Sequence, residues 1–229
     1  MTTKGFIFDL DGVIVDTAKY HYMAWKELAN SLGIAFSEAQ NEQLKGVSRV
    51  DSLKKILTWG QVTLSYQEFA DWMTAKNDGY LSYIDQMDER EILPGVVDLL
   101  SSIRSKGHAI ALGSASKNAR LILEKVGLIS FFDCIVDGTN LTKAKPDPEV
   151  FLTGSKGLGV PPNSCVVFED AAAGIKAANA ANMISIGIGK KEFLFEADIV
   201  LSGMDQVNES LLELLIQSVS KESFNQYQF

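Results

Sequence analysis

Cysteine and positive charge are both scarce in this chain. Only two cysteines, Cys134 and Cys165, occur in 229 residues. Each lies beside an apolar run without the spacing of a metal site, so both are read as reduced core residues rather than parts of a disulfide or zinc framework. Lysine and arginine number 21 against 29 acidic residues, a formal net charge of −8. No Lys/Arg-rich stripe interrupts that acidity, which argues against a nucleic-acid footprint. Phosphorylated small molecules stay compatible with it, because a few local cations and a bound metal dominate the field inside a cleft. No apolar run reaches the roughly 18 residues of a membrane span. The opening MTTKGFIFDLDG carries no signal-peptide apolar core. Internal repeats and low-complexity segments are missing too. A cytoplasmic protein with no membrane or nucleic-acid partner is expected by default. Its composition is 46% hydrophobic and 22% charged, ordinary for a globular chain whose core needs no metal merely to fold.

Five short apolar runs read as buried strands: Gly5–Leu10, His108–Leu112, Cys134–Val136, Ser164–Phe168 and Met183–Gly187, with Asp198–Leu201 as a sixth. Helical patterns separate most of them, the signature of a parallel sheet covered on both faces. Pro94 opens one helix that runs to Lys106-Gly107, and Ser116 precedes another that ends at Val126-Gly127. Asp147-Pro148-Glu149 reads as an N-cap, a proline at the first helical position and an acid in the first turn. Between the first strand and Pro94 the pattern is helical only, over Thr17–Leu32, Ser37–Leu44, Ser48–Leu57 and Ser65–Ile84. The expected fold is therefore α/β: a doubly wound, parallel-sheet (Rossmann-like) core with an inserted all-helical cap domain. The core is assigned to residues 1–16 and 88–229 and the cap to 17–87. The cap would hang over the carboxyl ends of the strands, where open α/β sheets place their sites. The polar end KESFNQYQF reads as a frayed tail.

Four segments carry chemistry. In FDLDGVIVDT, Asp9 and Asp11 stand two apart at the end of a buried strand and point the same way, and Gly12 lets the backbone turn. Such carboxylates suit a hard cation; Asp9 suits attack on phosphorus and Asp11 a proton shuttle. Gly113-Ser114-Ala115-Ser116-Lys117-Asn118 offers hydroxyl and backbone N–H groups to a phosphate at a helix start, although Ser116 also reads as a plain N-cap. Lys145, before Pro146, puts a cation in a stiff loop; alone it is an ordinary loop lysine. Glu169-Asp170 ends another strand and would complete a magnesium shell with Asp9 and Asp11, with helix capping as the alternative. The co-occurrence of all four at strand ends in one sheet decides for a site.

DLDG with Thr17, then Ser114, then Lys145-Pro146, then Glu169-Asp170 resemble the four ordered motifs of the haloacid dehalogenase superfamily, along the whole chain. The second aspartate marks its phosphoryl-transfer members and argues against dehalogenation. In the cap, DTAKYHYMAWKELA, NEQLKGVSRVDSL and, in the core, GSASKNA are similar to the β-phosphoglucomutase family. That resemblance implies interconversion of β-D-glucose 1-phosphate and glucose 6-phosphate with Mg²⁺, through phosphorylated Asp9 and a hexose 1,6-bisphosphate that also serves as activator, with Asp11 as general acid/base. It further implies substrate contacts from Thr17, His21, Trp25, Lys45, Gly46, Val47, Ser48, Arg49 and Lys76 on the cap side. Ser114, Ala115, Ser116, Lys117, Asn118 and Lys145 would serve the core side. Arg49 would grip the non-transferring phosphate, and His21 with Lys76 would couple cap closure to Asp11. A monomer is expected. Blander readings stand beside these: His21 as a packed histidine, Ser48 with Asp51 as a capping box, and Trp25, Trp59 and Trp72 as packing. A sugar-phosphate phosphatase with the same nucleophile, and a non-catalytic sugar-phosphate-binding protein, are the competing functions.

Overall fold

The computed structural model describes residues 3–218 and 221–225. Six strands form one parallel sheet: β1 (Gly5–Phe8), β2 (Ala109–Gly113), β3 (Cys134–Val136), β4 (Cys165–Glu169), β5 (Ile184–Ile188) and β6 (Ile199–Leu201). Their order is β3-β2-β1-β4-β5-β6. The connections reverse direction between β1 and β4, and a crevice opens at such a switch point beyond the carboxyl ends of the strands. Register puts Phe8 beside Leu112 on one side and Phe168 on the other, so the residues that follow β1, β2 and β4 emerge at one edge.

The apolar runs are continuous because both faces are covered. Phe6, Phe8, Val166 and Phe168 enter one core, while Ile7, Cys165 and Val167 enter a second across the sheet, the period-two alternation of a pleated strand. Phe8 and Phe168 stack at 4.7 Å across neighbouring strands. The helical block comprises α1 (Ala18–Ser31), α2 (Glu38–Glu42), α3 (Arg49–Gly60) and α4 (Tyr66–Ile84), with a core of its own built on Trp25, Leu28, Leu53, Ile56 and Leu57. Helices α5 (Val96–Ser105), α6 (Ala119–Lys125), α7 (Glu149–Leu158), α8 (Ala172–Ala180), α9 (Glu209–Gln217) and α10 (Lys221–Asn225) complete the described residues. None of these helices is long and apolar enough to cross a membrane.

Three boundaries differ from the sequence reading. The first strand stops at Phe8, because the Leu10 carbonyl accepts the N–H groups of Ile14 and Val15 and folds the following residues into a tight loop. The cap residue of α7 is Pro148, not Asp147; the Asp147 carboxylate instead accepts the Glu149 N–H at 3.0 Å. The end of the chain is not simply a frayed tail: α10 begins at Lys221, and Phe224 is buried in the larger core. Residues 226–229 lie outside the described residues.

Candidate active site

Asp9 follows β1 directly, and its N–H donates to the Phe168 carbonyl at 2.9 Å. That bond fixes it against the end of β4, where Glu169 and Asp170 follow. Oxygens of Asp9, Glu169 and Asp170 converge within 4.8 Å of one another. Lys145 reaches into this cluster from its loop. Its Nζ donates to Asp9 Oδ1 at 2.6 Å, Glu169 Oε2 at 2.8 Å and the Gly113 carbonyl at 3.2 Å. Burial alone would lower the Lys145 pKa, but the charges and hydrogen bonds of Asp9 and Glu169 outweigh it and raise it. One ammonium cannot neutralise every acid around it. The surplus shows on Glu169, pushed up to about 8 by burial and then by Asp9, and on Asp170, pushed up to about 6 by burial against the pull of Lys45. Hard oxygen donors crowded to this degree, with protonation as their alternative, fit a divalent cation. The Asp11 carboxylate is not in the converging set.

Asp11 instead belongs to a second network. Its Oδ1 accepts a hydrogen bond from the Thr17 hydroxyl, and His21 Nε2 stands 3.7 Å from the same oxygen. Burial, then the Asp9 charge, push Asp11 up to about 7. His21 is held well below its ordinary range by burial and then by Lys76 and Arg49, and is neutral. Lys76 Nζ lies 2.9 Å from His21 Nδ1. With Lys76 in its ammonium form, which only donates, Nδ1 accepts and the ring proton is assigned to Nε2, facing Asp11. Lys76 is itself buried, 4.7 Å from the Trp25 ring centre and 4.6 Å from that of Tyr80, and burial pulls it down to about 7. His21 is therefore no mere packing residue, although it does stack on Tyr80 at 4.2 Å.

Two backbone segments close the site. After β2, the hydroxyls of Ser114 and Ser116 accept the N–H groups of Ser116 and Asn118 at 3.1 and 3.2 Å, shaping a loop before α6. The bland reading made Ser116 the N-cap of α6; that position is Asn118, and the Ser116 hydroxyl instead accepts the Asn118 N–H in the turn before the helix. The Asn118 side-chain amide donates to Asn77 Oδ1 at 3.2 Å, linking this loop to α4. On the helical side, Lys45 Nζ pairs with Asp170 at 3.2 Å across the interface. Gly46 has φ 69°, and a β-carbon there would lie 3.1 Å from that of Ala171, so the cap loop meets the core at a position only glycine occupies without strain. Gly12, at φ 78°, is tighter: a β-carbon would come within 2.5 Å of Asp170 Oδ2. Ser48 caps α3, accepting the Asp51 N–H at 3.2 Å.

A cavity of about 210 Å³ lies between the two halves. Asp9, Asp11 and Asp170 face it from the core, together with Ser114, Ala115, Ser116 and Lys117. His21, Trp25, Lys45, Gly46, Val47, Ser48, Arg49 and Lys76 face it from the cap. Thr17, Lys145 and Glu169 are buried; Thr17 bonds Asp11 and Lys145 bonds Asp9, both of which face the cavity, and Lys145 also bonds Glu169. Trp25 joins the cap core as well as the cavity, while Trp59 and Trp72 pack against that core and do not line this cavity. Ala18, Asn41, Leu44, Val50, Ser52, Met73 and Gly138 also line the cavity and escaped the sequence reading. Most sit in amphipathic helices, where a residue turned towards a cavity repeats with the same spacing as one turned towards a core.

Residues 3–182 match the family model for haloacid dehalogenase-like hydrolases. The β-phosphoglucomutase of Bacillus subtilis is 42% identical over 93% of this chain and 93% of its own length. The crystal structure of a β-phosphoglucomutase from Clostridium difficile superposes with a TM-score of 0.90 at 42% identity, covering 99% of each chain. A fructose-1-phosphate phosphatase of Escherichia coli is 34% identical over 80% of this chain and 95% of its own. The acids gathered at the ends of β1 and β4 under a helical cap thus have their explanation in descent: this chain belongs to the haloacid dehalogenase-like hydrolase family.

Proposed function

We propose that this protein is a phosphosugar mutase interconverting β-D-glucose 1-phosphate and glucose 6-phosphate. The observation that carries the reading is a single cavity with anion-binding groups on two opposed walls. Ser114 to Lys117 stand on the core side, and Lys45 to Arg49 stand on the cap side. A phosphatase needs one phosphate grip; a mutase that turns a bisphosphate end for end needs two. The β-phosphoglucomutases at 42% identity support the same reading.

In this mechanism phosphorylated Asp9 transfers PO₃ to the free hydroxyl of a hexose monophosphate, and Asp11 takes the hydroxyl proton as the new P–O bond forms. The resulting 1,6-bisphosphate, which also primes Asp9 as activator, reverses its orientation. Asp9 then accepts the other phosphoryl group while Asp11 returns the proton to the departing sugar oxygen. An acid held near 7 serves both directions at neutral pH. Lys145 neutralises Asp9 and steadies its orientation, and Arg49 holds the phosphate that is not transferring. Thr17, and His21 backed by Lys76, orient Asp11. Asp9, Glu169 and Asp170 would hold Mg²⁺, which supplies charge neutralisation at the phosphoryl oxygens; Asp11 contributes no carboxylate to that set. Residues 17–87 act as a cap over a core of 1–16 and 88–229, excluding water from the aspartyl phosphate. The enzyme works as a monomer in the cytoplasm.

The deciding experiment supplies pure protein with Mg²⁺, a trace of hexose 1,6-bisphosphate and either anomer of glucose 1-phosphate, and follows glucose 6-phosphate. Formation from the β-anomer is expected; inorganic phosphate without interconversion would replace the mutase by a sugar-phosphate phosphatase. The phosphatase reading has its own support in the Escherichia coli relative. Binding without turnover of either kind would leave only a sugar-phosphate-binding protein.

A further inference from the structure

Asn118 is the N-cap residue of α6, yet its side chain makes no capping bond. An asparagine in that position ordinarily turns its side-chain oxygen onto the first free N–H groups of the helix. Here its amide donates instead to Asn77 Oδ1 on α4 at 3.2 Å, from the core to the cap. The far end of α6 reaches the same helix. Lys125 Nζ donates to the carbonyl of Asp85, the C-cap residue of α4, at 3.2 Å and stands 3.4 Å from its carboxylate. About 12 Å of α4 and about 10 Å of α6 separate the two contacts at the helical rise, so the helices run side by side in the same direction. The Asp85 side chain is 73% exposed, and such a surface pair holds little; the two asparagines are half-buried. Asn77 directly follows Lys76, whose ammonium lies 2.9 Å from His21 Nδ1, and His21 Nε2 in turn faces Asp11. Asn118 closes the phosphate loop that begins at Ser114, its N–H bonded to the Ser116 hydroxyl. Neither asparagine lines the cavity. The pair therefore joins the core-side phosphate loop to the Asp11 network from behind the cavity wall.

We propose that Asn77 is a positioning residue for the mutase reaction: its hydrogen bond to Asn118 sets the register of α4 against the phosphate loop, so that Lys76 and His21 reach Asp11 while that loop holds its phosphate. Asn77 itself touches no reacting atom. The other polar tie between cap loop and core, Lys45 to Asp170, is an ion pair, and its strength changes with salt and with the charge inside the cavity. A mutase cycle moves that charge, since a phosphoryl group leaves Asp9, the bisphosphate turns over, and another group arrives. An amide–amide bond carries no net charge, so it keeps the same register through each of these states. The two halves can then close on either orientation of the sugar with Asp11 equally well placed. The inference rests on the reading of this protein as a mutase.

Asn77→Ala removes the acceptor, whereas Asn77→Asp keeps one to which the Asn118 amide can donate. For Asn77→Ala the melting temperature should fall by at most about 4 °C, the effect of one net hydrogen bond in a chain of this size. Its kcat/KM for β-D-glucose 1-phosphate should fall about tenfold. Inorganic phosphate released per mutase turnover, measured at saturating substrate, should rise about fivefold or more, because a misplaced α4 leaves the aspartyl phosphate open to water. Asn77→Asp should bring that ratio back to within about twofold of the wild type. In an Asn118→Ala background, Asn77→Ala should cost nothing further in either measurement. The inference is overturned, and the mutase reading left intact, by any of three results: a loss of melting temperature with kcat/KM and phosphate release unchanged, no recovery in Asn77→Asp, or an undiminished loss on top of Asn118→Ala. If the wild type releases phosphate without interconverting hexose phosphates, the mutase reading fails and the inference falls with it.

Discussion

Lys145 Nζ lies 2.6 Å from Asp9 Oδ1 and 2.8 Å from Glu169 Oε2, with its own side chain 1% exposed. The pair joins the proposed nucleophile to a loop that follows β3, far along the chain from β1. Removing one partner of a buried ion pair strands the other charge, which typically costs about 3–5 kcal/mol. Lys145→Ala should therefore lower the stability of the metal-free protein by that order in denaturant titration. Saturating Mg²⁺ should return part of the loss, and mutase turnover should not recover.

Replacing Asp9 by Asn keeps the side chain's shape and removes the nucleophile. Turnover in the coupled glucose 6-phosphate assay should fall by more than about 10³-fold, the scale seen when a covalent catalyst is deleted. Circular dichroism should remain native. Unchanged product formation would remove Asp9 from the role assigned to it.

The metal should stabilise the protein more at pH 7.5 than at pH 5. Asp11, Asp170 and Glu169 are raised to about 7, 6 and 8. On their account the folded metal-free protein binds more protons than the unfolded chain across that range, and its stability falls as pH rises. His21 and His108 are both held low and act in the opposite sense below their ordinary value. The comparison is therefore best made as the difference in melting temperature between Mg²⁺ and EDTA at each pH. Metal binding requires deprotonated ligands, so that difference should shrink on acidification; a constant difference would take Glu169 and Asp170 out of the metal site.

Gly46→Ala tests how closely the cap loop must approach the core. A left-handed φ costs a non-glycine residue about 1–2 kcal/mol, and the new methyl would press on Ala171. KM for the hexose phosphate should rise and phosphate leakage from Asp9 should increase, read as inorganic phosphate released per mutase turnover.

Arg49→Lys preserves charge but loses the forked geometry that matches phosphate. KM should rise about tenfold, the worth of one charge-assisted hydrogen bond, with a smaller change in kcat.

The sheet was legible in the chain because fully buried parallel strands leave near-continuous apolar runs, and all six such runs lie in strands within a residue or two of the expected ends. The acids were legible for the same reason, since a charge directly after an apolar strand has few structural uses. What local sequence could not decide was pairing. Nothing around Lys145 says that its ammonium meets Asp9 and Glu169, nor does the helix carrying Tyr80 reveal a ring stacked on His21. Those contacts depend on strand order and on how α1 meets α4, which long-range packing sets. The divergence of Asp11 from the cluster of Asp9, Glu169 and Asp170 has the same origin. In sequence it is the twin of Asp9, but its carboxylate meets Thr17 and His21 rather than the oxygens of Glu169 and Asp170. The chain by itself determined which residues are acidic, apolar or free to turn. Only the tertiary structure decided which acids converge on one point and which meets Thr17 and His21, because that depends on the few ångströms separating neighbouring strand ends.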